Sequence, residues 1–329
     1  MTDQHPPRPA RIQRSELAVP ATSERFFEKA RQSAADVIFL DLEDAVAPAE
    51  KTRARQVVVE ALNDIDWGRK TMVVRVNGLD TEWGYRDVVE VAERCPRLDM
   101  VLLPKVQGAR DVEFVDTLLA GIEAATRRAT PIGLEALIET AMGLANIRAI
   151  AGAVARLEAL IFGVGDFIVS METPDLIVGA FNADYAVLTD PDDAGSRRRA
   201  FNDQWHYALA RVASTCRAFG LRPIDGPYTN YADPDGYRAS ALRSRALGFE
   251  GKWAIHPAQI PITNEVFTPS SDRIAWARRA IEAMRKATSE GHGATGVNGE
   301  LFDMAHIKLA ENILRRADAI AELEGRATA

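Results

Sequence analysis

Short apolar runs alternate along this chain with stretches of helical periodicity. ELAVP (16–20), DVIFLDL (36–42), TMVVRVN (71–77), MVLLPKV (100–106), PIGLEALIE (131–139), LEALIFGV (157–164), LRPIDGP (221–227) and GKWAIHP (251–257) read as eight strands. Between them, SERFFEKARQSA (23–34), DVEFVDTLLAGIEAATRR (111–128) and NDQWHYALARVASTCRAF (202–219) carry a helical period. Near-continuous apolar strands separated by helices predict a parallel sheet covered on both faces. Eight such units in about 260 residues predict an α/β fold of the closed (β/α)8 type. A doubly wound sheet is the alternative, but no glycine-rich dinucleotide turn follows the first strand.

Two segments exceed a minimal barrel. Residues 168–200 form a long connection after the sixth strand, a length that is often functional. Beyond residue 270 the pattern predicts a helix near 271–289, the glycine-bearing stretch GHGATGVNGE (291–300) and a last helix near 302–324. The expected organisation is a flexible arm over 1–13, a catalytic barrel over 14–270 and a helical lid or oligomerisation segment over 271–329. The glycines of 291–299 suit a mobile joint for such a lid, or an ordinary loop between two packing helices.

The net charge of −7 argues against a general nucleic-acid partner. No apolar run approaches the ~18 residues of a membrane span. Cys95 and Cys216 lack metal-ligand spacing, and the first thirteen residues lack the apolar core of a secretory signal. These features predict reduced thiols and a cytoplasmic protein.

In a (β/α)8 barrel the active site lies at the C-terminal ends of the strands. Those ends carry Asp41, Glu43 and Asp44 (second), Arg75 and Asn77 (third), Lys105 (fourth), Glu139 (fifth), Asp166 (sixth), Asp225 (seventh) and His256 (eighth). They are expected to converge on one mouth. So many carboxylates need a positive partner, and a hard divalent cation such as Mg²⁺, with Mn²⁺ as a substitute, supplies one. Glu139 and Asp166, ending neighbouring strands, are the pair for direct ligation. Asp41, Glu43 and Asp44 would hold metal-bound waters. A helix cap or surface ion pair is the alternative for any single acid, most seriously for Asp44, since APAEKTRAR follows it. Arg75, inside an apolar strand, must meet a carboxylate and can bind a substrate oxygen. Lys105 is expected to balance charge rather than form a Schiff base.

The motifs RSELAVPA (14–21), DVIFLDLEDAV (36–46), RVNGLDT (75–81), LLPKV (102–106), LIETAMG (137–143), FGVGDF (162–167), RPIDGP (222–227) and GKWAIHPAQI (251–260) together resemble the HpcH/HpaI aldolase and citrate lyase β-subunit-like superfamily. The similarity runs from about residue 12 to the C-terminus and is greatest to the malyl-CoA/β-methylmalyl-CoA lyase branch. The resemblance implies a TIM barrel with a C-terminal helical lid, forming a homo-oligomer, a trimer or a hexamer. It implies Mg²⁺-dependent, reversible retro-Claisen cleavage of (S)-malyl-CoA or its β-methyl analogue to acetyl-CoA or propionyl-CoA and glyoxylate. It carries over Glu139 and Asp166 as metal ligands, Arg75 as the arginine on the enolate, and Glu43 and Asp44 as the acids beside the metal waters. Lys29, Arg25 and Pro257 are implied to meet coenzyme A, and Asp303 to be a lid acid/base. Ala21, where the family has glycine, and the acid and proline of SMETPDLIVGAFNADY bear on CoA contacts and acyl preference. A malyl-CoA thioesterase and a citramalyl-CoA lyase are the alternatives on the same site. A pyruvate aldolase would want a histidine where DLEDAV stands, and a non-enzymatic CoA-ester binder would not need the acids and Arg75.

Overall fold

The computed structural model describes residues 9–22, 24–174, 176–297 and 299–325. The chain divides into two compact units, Met1–Asn264 and Glu265–Ala329. The first is a closed barrel of eight parallel strands: β1 (Ser15–Pro20), β2 (Val37–Asp41), β3 (Thr71–Arg75), β4 (Met100–Leu103), β5 (Gly133–Ile138), β6 (Leu157–Phe162), β7 (Arg222–Asp225) and β8 (Gly251–Ala254). Every strand pairs with its sequence neighbours, and β1 closes the ring on β8 with Leu17 opposite Ala254. This is the (β/α)8 barrel that the alternation of apolar runs and helical stretches predicts.

Strand side chains alternate between the interior and the helix layer. Val37 and Phe39 of β2, Val73 of β3, Met100 and Leu102 of β4, Leu137 of β5, Ile161 of β6, Ile224 of β7 and Trp253 of β8 fill the barrel as one buried cluster. The positions between them, such as Ile38, Leu40, Val74 and Val101, are equally buried. A strand with both faces covered therefore reads as an unbroken apolar run.

The same alternation fixes what lies above and below that cluster. Two residues past Phe39, Val73 and Leu137 come Asp41, Arg75 and Glu139, which are 2, 8 and 2 % exposed. At the opposite end Glu16 and Glu135 are fully buried. Residues 1–8 of the expected arm lie outside the described residues. Of its remainder, Gln13 is buried and donates to Glu16 (3.0 Å) and Glu135 (2.6 Å), while Arg11 pairs with Glu158 at 3.0 Å. Residues 11–13 are thus tied to the barrel floor rather than loose, because two buried carboxyls there need donors.

After β6 a helix (Val164–Ser170) leads into the long connection, which holds a two-stranded ribbon of Val187–Leu188 and Arg199–Ala200. In the second unit, helices Ser271–Ser289 and Met304–Leu323 pack through Ala277, Ala280, Met284 and Ala310. The glycine-bearing stretch between them contains an antiparallel ribbon, Thr295–Val297 with Glu300–Phe302. Phe302 seals that unit's core. Among the described residues no helix is long and apolar enough to cross a membrane.

Candidate active site

Arg75 is the hub of the barrel mouth. Its Nε and Nη2 donate to the two oxygens of Asp41 at 2.7 and 2.6 Å, a bidentate clamp across neighbouring strands. Its Nη1 lies 3.0 Å from Glu43 Oε2 and 3.3 Å from Asp44 Oδ2. Burial works against the guanidinium charge, but Asp41, Glu43 and Asp44 more than offset it and drive the pKa above the ordinary arginine value. Below the guanidinium lie the rings of Phe39 and Trp253, 5.8 and 5.7 Å from Cζ.

Asp41 also shapes the loop that carries the other two acids. Its carboxylate accepts from the backbone N–H of Glu43 (2.8 Å) and Ala45 (3.3 Å). Lys51, buried at the start of the next helix, donates to the carbonyls of Leu42 (2.8 Å) and Glu43 (2.6 Å). Glu43 is therefore held inward and only 6 % exposed. Burial raises its carboxyl to about 7 against the opposing charge of Arg75. Burial also works to raise Asp44, but the hydrogen bond from Glu43 and the charges of Arg75 and Lys105 keep its pKa below the usual range.

Lys105 joins these acids to a second pair. Its ammonium pairs with Glu43 and lies 3.7 Å from Asp44 and 3.6 Å from Asp166. Burial opposes that charge, yet the bond to Glu43 and the surrounding carboxylates raise the pKa well above the ordinary lysine value, so Lys105 stays an ammonium. Its backbone adopts φ 52°, left-handed and costly for a side-chain-bearing residue. That turn aims its N–H at Glu139 Oε1, 2.6 Å away.

Glu139 stands one residue past β5, and Asp166 in the first turn of the helix after β6. Burial and then the charge of Asp166 push Glu139 well above the usual carboxylate range. A cation between the two would remove both penalties. Gly163 makes the approach feasible: a Cβ there would sit 2.6 Å from Glu139 Cβ and 2.7 Å from Oε2. Among the described residues no three His, Cys, Asp or Glu side chains form a metal cage. Two hard oxygen donors without a third suit a Mg²⁺ ion that keeps waters and takes substrate oxygens, and do not suit zinc.

Not every strand-end residue reaches this mouth. Asp225 follows the inward-facing Ile224 and so faces the helix layer, where its Oδ2 accepts from buried Lys252 at 2.7 Å. Asn77 turns to Asp87 of the helix Gly84–Arg94, 2.6 Å away. His256 is exposed, caps the turn Pro257–Gln259 and stacks on Tyr231. The expected convergence fails for Asp225 because alternation decides the direction of a strand side chain, and for Asn77 and His256 because both stand two residues beyond the end of their strands, where the loop sets the direction. Pro257 is exposed in that turn, and Arg25 and Lys29 are exposed one helical turn apart on Glu24–Gln32. Asp303 belongs to the second unit and N-caps the helix Met304–Leu323. Its Oδ1 accepts from Ala305 N–H at 2.9 Å and contacts His306 Nδ1 at 2.7 Å. The contact to His306 holds its pKa below the usual range.

Reading the sequence passed over Trp253, Phe39 and Lys51. The inward period-2 positions of β2 and β8 were the signal for the two rings. Lys51 gave none, since its carbonyl partners are backbone atoms.

Residues 14–257 match the HpcH/HpaI aldolase/citrate lyase family, about three quarters of the chain. The chain belongs to that family. Among its curated relatives, an L-malyl-CoA/β-methylmalyl-CoA lyase of Rhodobacter capsulatus is 48% identical over 314 residues, covering 95% of this chain and 97% of that one. A (3S)-malyl-CoA thioesterase of Cereibacter sphaeroides is 39% identical and covers 94% and 95%. The crystal structure of the protein CitE from Mycobacterium tuberculosis, in complex with magnesium, acetoacetate and coenzyme A, superposes with a TM-score of 0.71 at 29% identity, over 94% of this chain and 98% of that one. In this member of the family the acids and Arg75 form one connected network at the barrel mouth.

Proposed function

We propose that the protein is a Mg²⁺-dependent acyl-CoA lyase that cleaves (S)-malyl-CoA and β-methylmalyl-CoA reversibly, giving glyoxylate with acetyl-CoA or propionyl-CoA. It is a carbon–carbon lyase of the family to which it belongs. The observation that carries the reading is the adjacency of Arg75, clamped by Asp41, to the acids Glu43, Asp44, Glu139 and Asp166 through Lys105. The identity to lyases so named, across nearly the whole chain, supports the substrate class.

Glu139 and Asp166 would hold the ion, and Glu43 and Asp44 would accept hydrogen bonds from its waters. Bound Mg²⁺, or Mn²⁺ in its place, would supply Lewis-acid polarisation of the hydroxyl and carboxylate oxygens of the substrate. Arg75 keeps its charge throughout. Asp41 takes its Nε–H and one Nη2–H, and Glu43 and Asp44 face Nη1. Of the five guanidinium N–H groups, an outer Nη2–H has no acid facing it among the described residues. That donor is suited to the thioester oxygen as it gains enolate charge. As the C2–C3 bond breaks, the C3 hydroxyl gives its proton to a base and becomes the aldehyde of glyoxylate, and the electron pair moves into the thioester. Protonation of C2 then completes acetyl-CoA. Asp303 would exchange that last proton. Arg25 and Lys29, two exposed cations on one helix face, and Pro257 would meet coenzyme A. The assembly would be a homo-oligomer, trimeric or hexameric, acting in the cytoplasm.

Incubation with (S)-malyl-CoA and Mg²⁺, following glyoxylate and free CoA together, tests the reading. Glyoxylate formed in step with acetyl-CoA supports it. Free CoA and malate without glyoxylate would mean hydrolysis, as in the thioesterase relative, and would sink it.

A further inference from the structure

Glu16 is a buried acid that the proposed reaction does not use. It lies inside the barrel, fully buried, where an apolar side chain would cost less. Its Oε2 accepts two N–H groups at 3.0 Å, one from Gln13 Nε2 and one from Trp253 Nε1. The indole so held is 5 % exposed, and its ring centre is 4.5 Å from that of Phe39. Arg75 Cζ sits 5.7 Å from one ring and 5.8 Å from the other.

Two sets of contacts therefore act on the guanidinium. Asp41, Glu43 and Asp44 meet its edge and fix its direction within its plane. Nη1, off the axis through Asp41, is held at 3.0 Å by Glu43 and at 3.3 Å by Asp44, so roll about that axis is limited to small tilts. The aromatic rings narrow that residual tilt, because a cation is drawn to the π face of an indole. The roll decides where the outer Nη2–H points, and hence whether it meets the thioester oxygen.

We propose that Trp253 is a positioning residue for the reaction: its indole, keyed by the buried carboxyl of Glu16, is the platform that orients the Arg75 guanidinium toward the thioester oxygen. This rests on the reading of Arg75 as the donor to the enolate. A double-mutant cycle tests it, with W253L, R75K and the two combined measured for kcat, KM for malyl-CoA and Mg²⁺ affinity by calorimetry. W253L is expected to lower kcat about tenfold with little change in Mg²⁺ affinity. W253F, which keeps a ring but loses the N–H that Glu16 holds, should restore only part of the loss. On the R75K background W253L should cost little, since the group it orients is gone. Equal fold-losses on both backgrounds, or an unchanged kcat, would overturn the proposal. An R75K enzyme as fast as the parent would instead overturn the role of Arg75. Where W253L does not fold or R75K is too slow, the Arg75 Nε–H resonance, assigned by its loss in R75K, decides. W253F should move it through the altered ring current, and an unmoved resonance overturns the proposal.

Discussion

Single residues set the chemistry of this mouth through charge in a buried place. Glu139 is the plainest case, since burial and the neighbouring Asp166 raise its pKa well above the ordinary glutamate value. A divalent ion needs the carboxylate, so binding must release the proton wherever the site is protonated. The raised pKa means that Mg²⁺ affinity should fall as pH drops through it, with protons released on binding, which calorimetry in buffers of different ionisation heat measures. E139Q should weaken Mg²⁺ binding at least about 100-fold, because even residues that merely support a metal ligand cost 10–100-fold when lost. An unchanged dissociation constant would remove Glu139 from the ligand set. R75K should leave Mg²⁺ binding nearly intact and lower kcat roughly 10²–10³-fold, the usual cost of losing one oxyanion donor.

At the scale of elements, the site depends on how strand ends turn into loops. Lys105 spends a left-handed backbone on one hydrogen bond to Glu139, and Gly163 leaves the space in which Glu139 lies. G163A places a methyl 2.6 Å from Glu139 Cβ. The carboxylate end of Glu139 could swing away, but its Cβ cannot, so the strand end must shift, at a cost of about 1–3 kcal/mol. The expected result is a lower melting temperature together with weaker Mg²⁺ binding. A melting temperature equal to that of the parent would show that the turn has slack. The motif FGVGDF is legible as a strand end followed by an acid. Its first glycine is explained only by the fifth strand lying beside the sixth.

At the scale of the molecule, the acids proposed to hold the metal belong to the barrel unit and Asp303 to the C-terminal unit. The proposed roles are therefore divided between the two units. D303N tests this without removing the helix cap, because Asn caps an N-terminus about as well as Asp. Mg²⁺ binding and the melting temperature should stay near the parent values, while hydrogen–deuterium exchange at the acetyl-CoA methyl should disappear. Normal exchange would rule Asp303 out. Its own surroundings, a cap and a contact to His306 that lower its pKa, mean that this exchange needs a rearranged partner or a changed setting.

The sequence by itself determined the barrel, since doubly covered parallel strands leave continuous apolar runs and their spacing counts the units. It also determined which acids and which arginine stand at strand ends, because a charge within or just beyond an apolar run has few structural excuses. Only the tertiary structure decided which of those ends face one another. Asp225 looked like a member of the site and is half of an ion pair with Lys252 in the helix layer, whereas Lys105 looked secondary and joins the two groups of acids. The period-2 pattern shows only that Phe39 and Trp253 point inward; that they meet beneath Arg75, with Glu16 accepting the indole N–H, was invisible along the chain. Direction around a barrel depends on strand register and closure, which bring β1, β2, β3 and β8 together from opposite ends of the sequence.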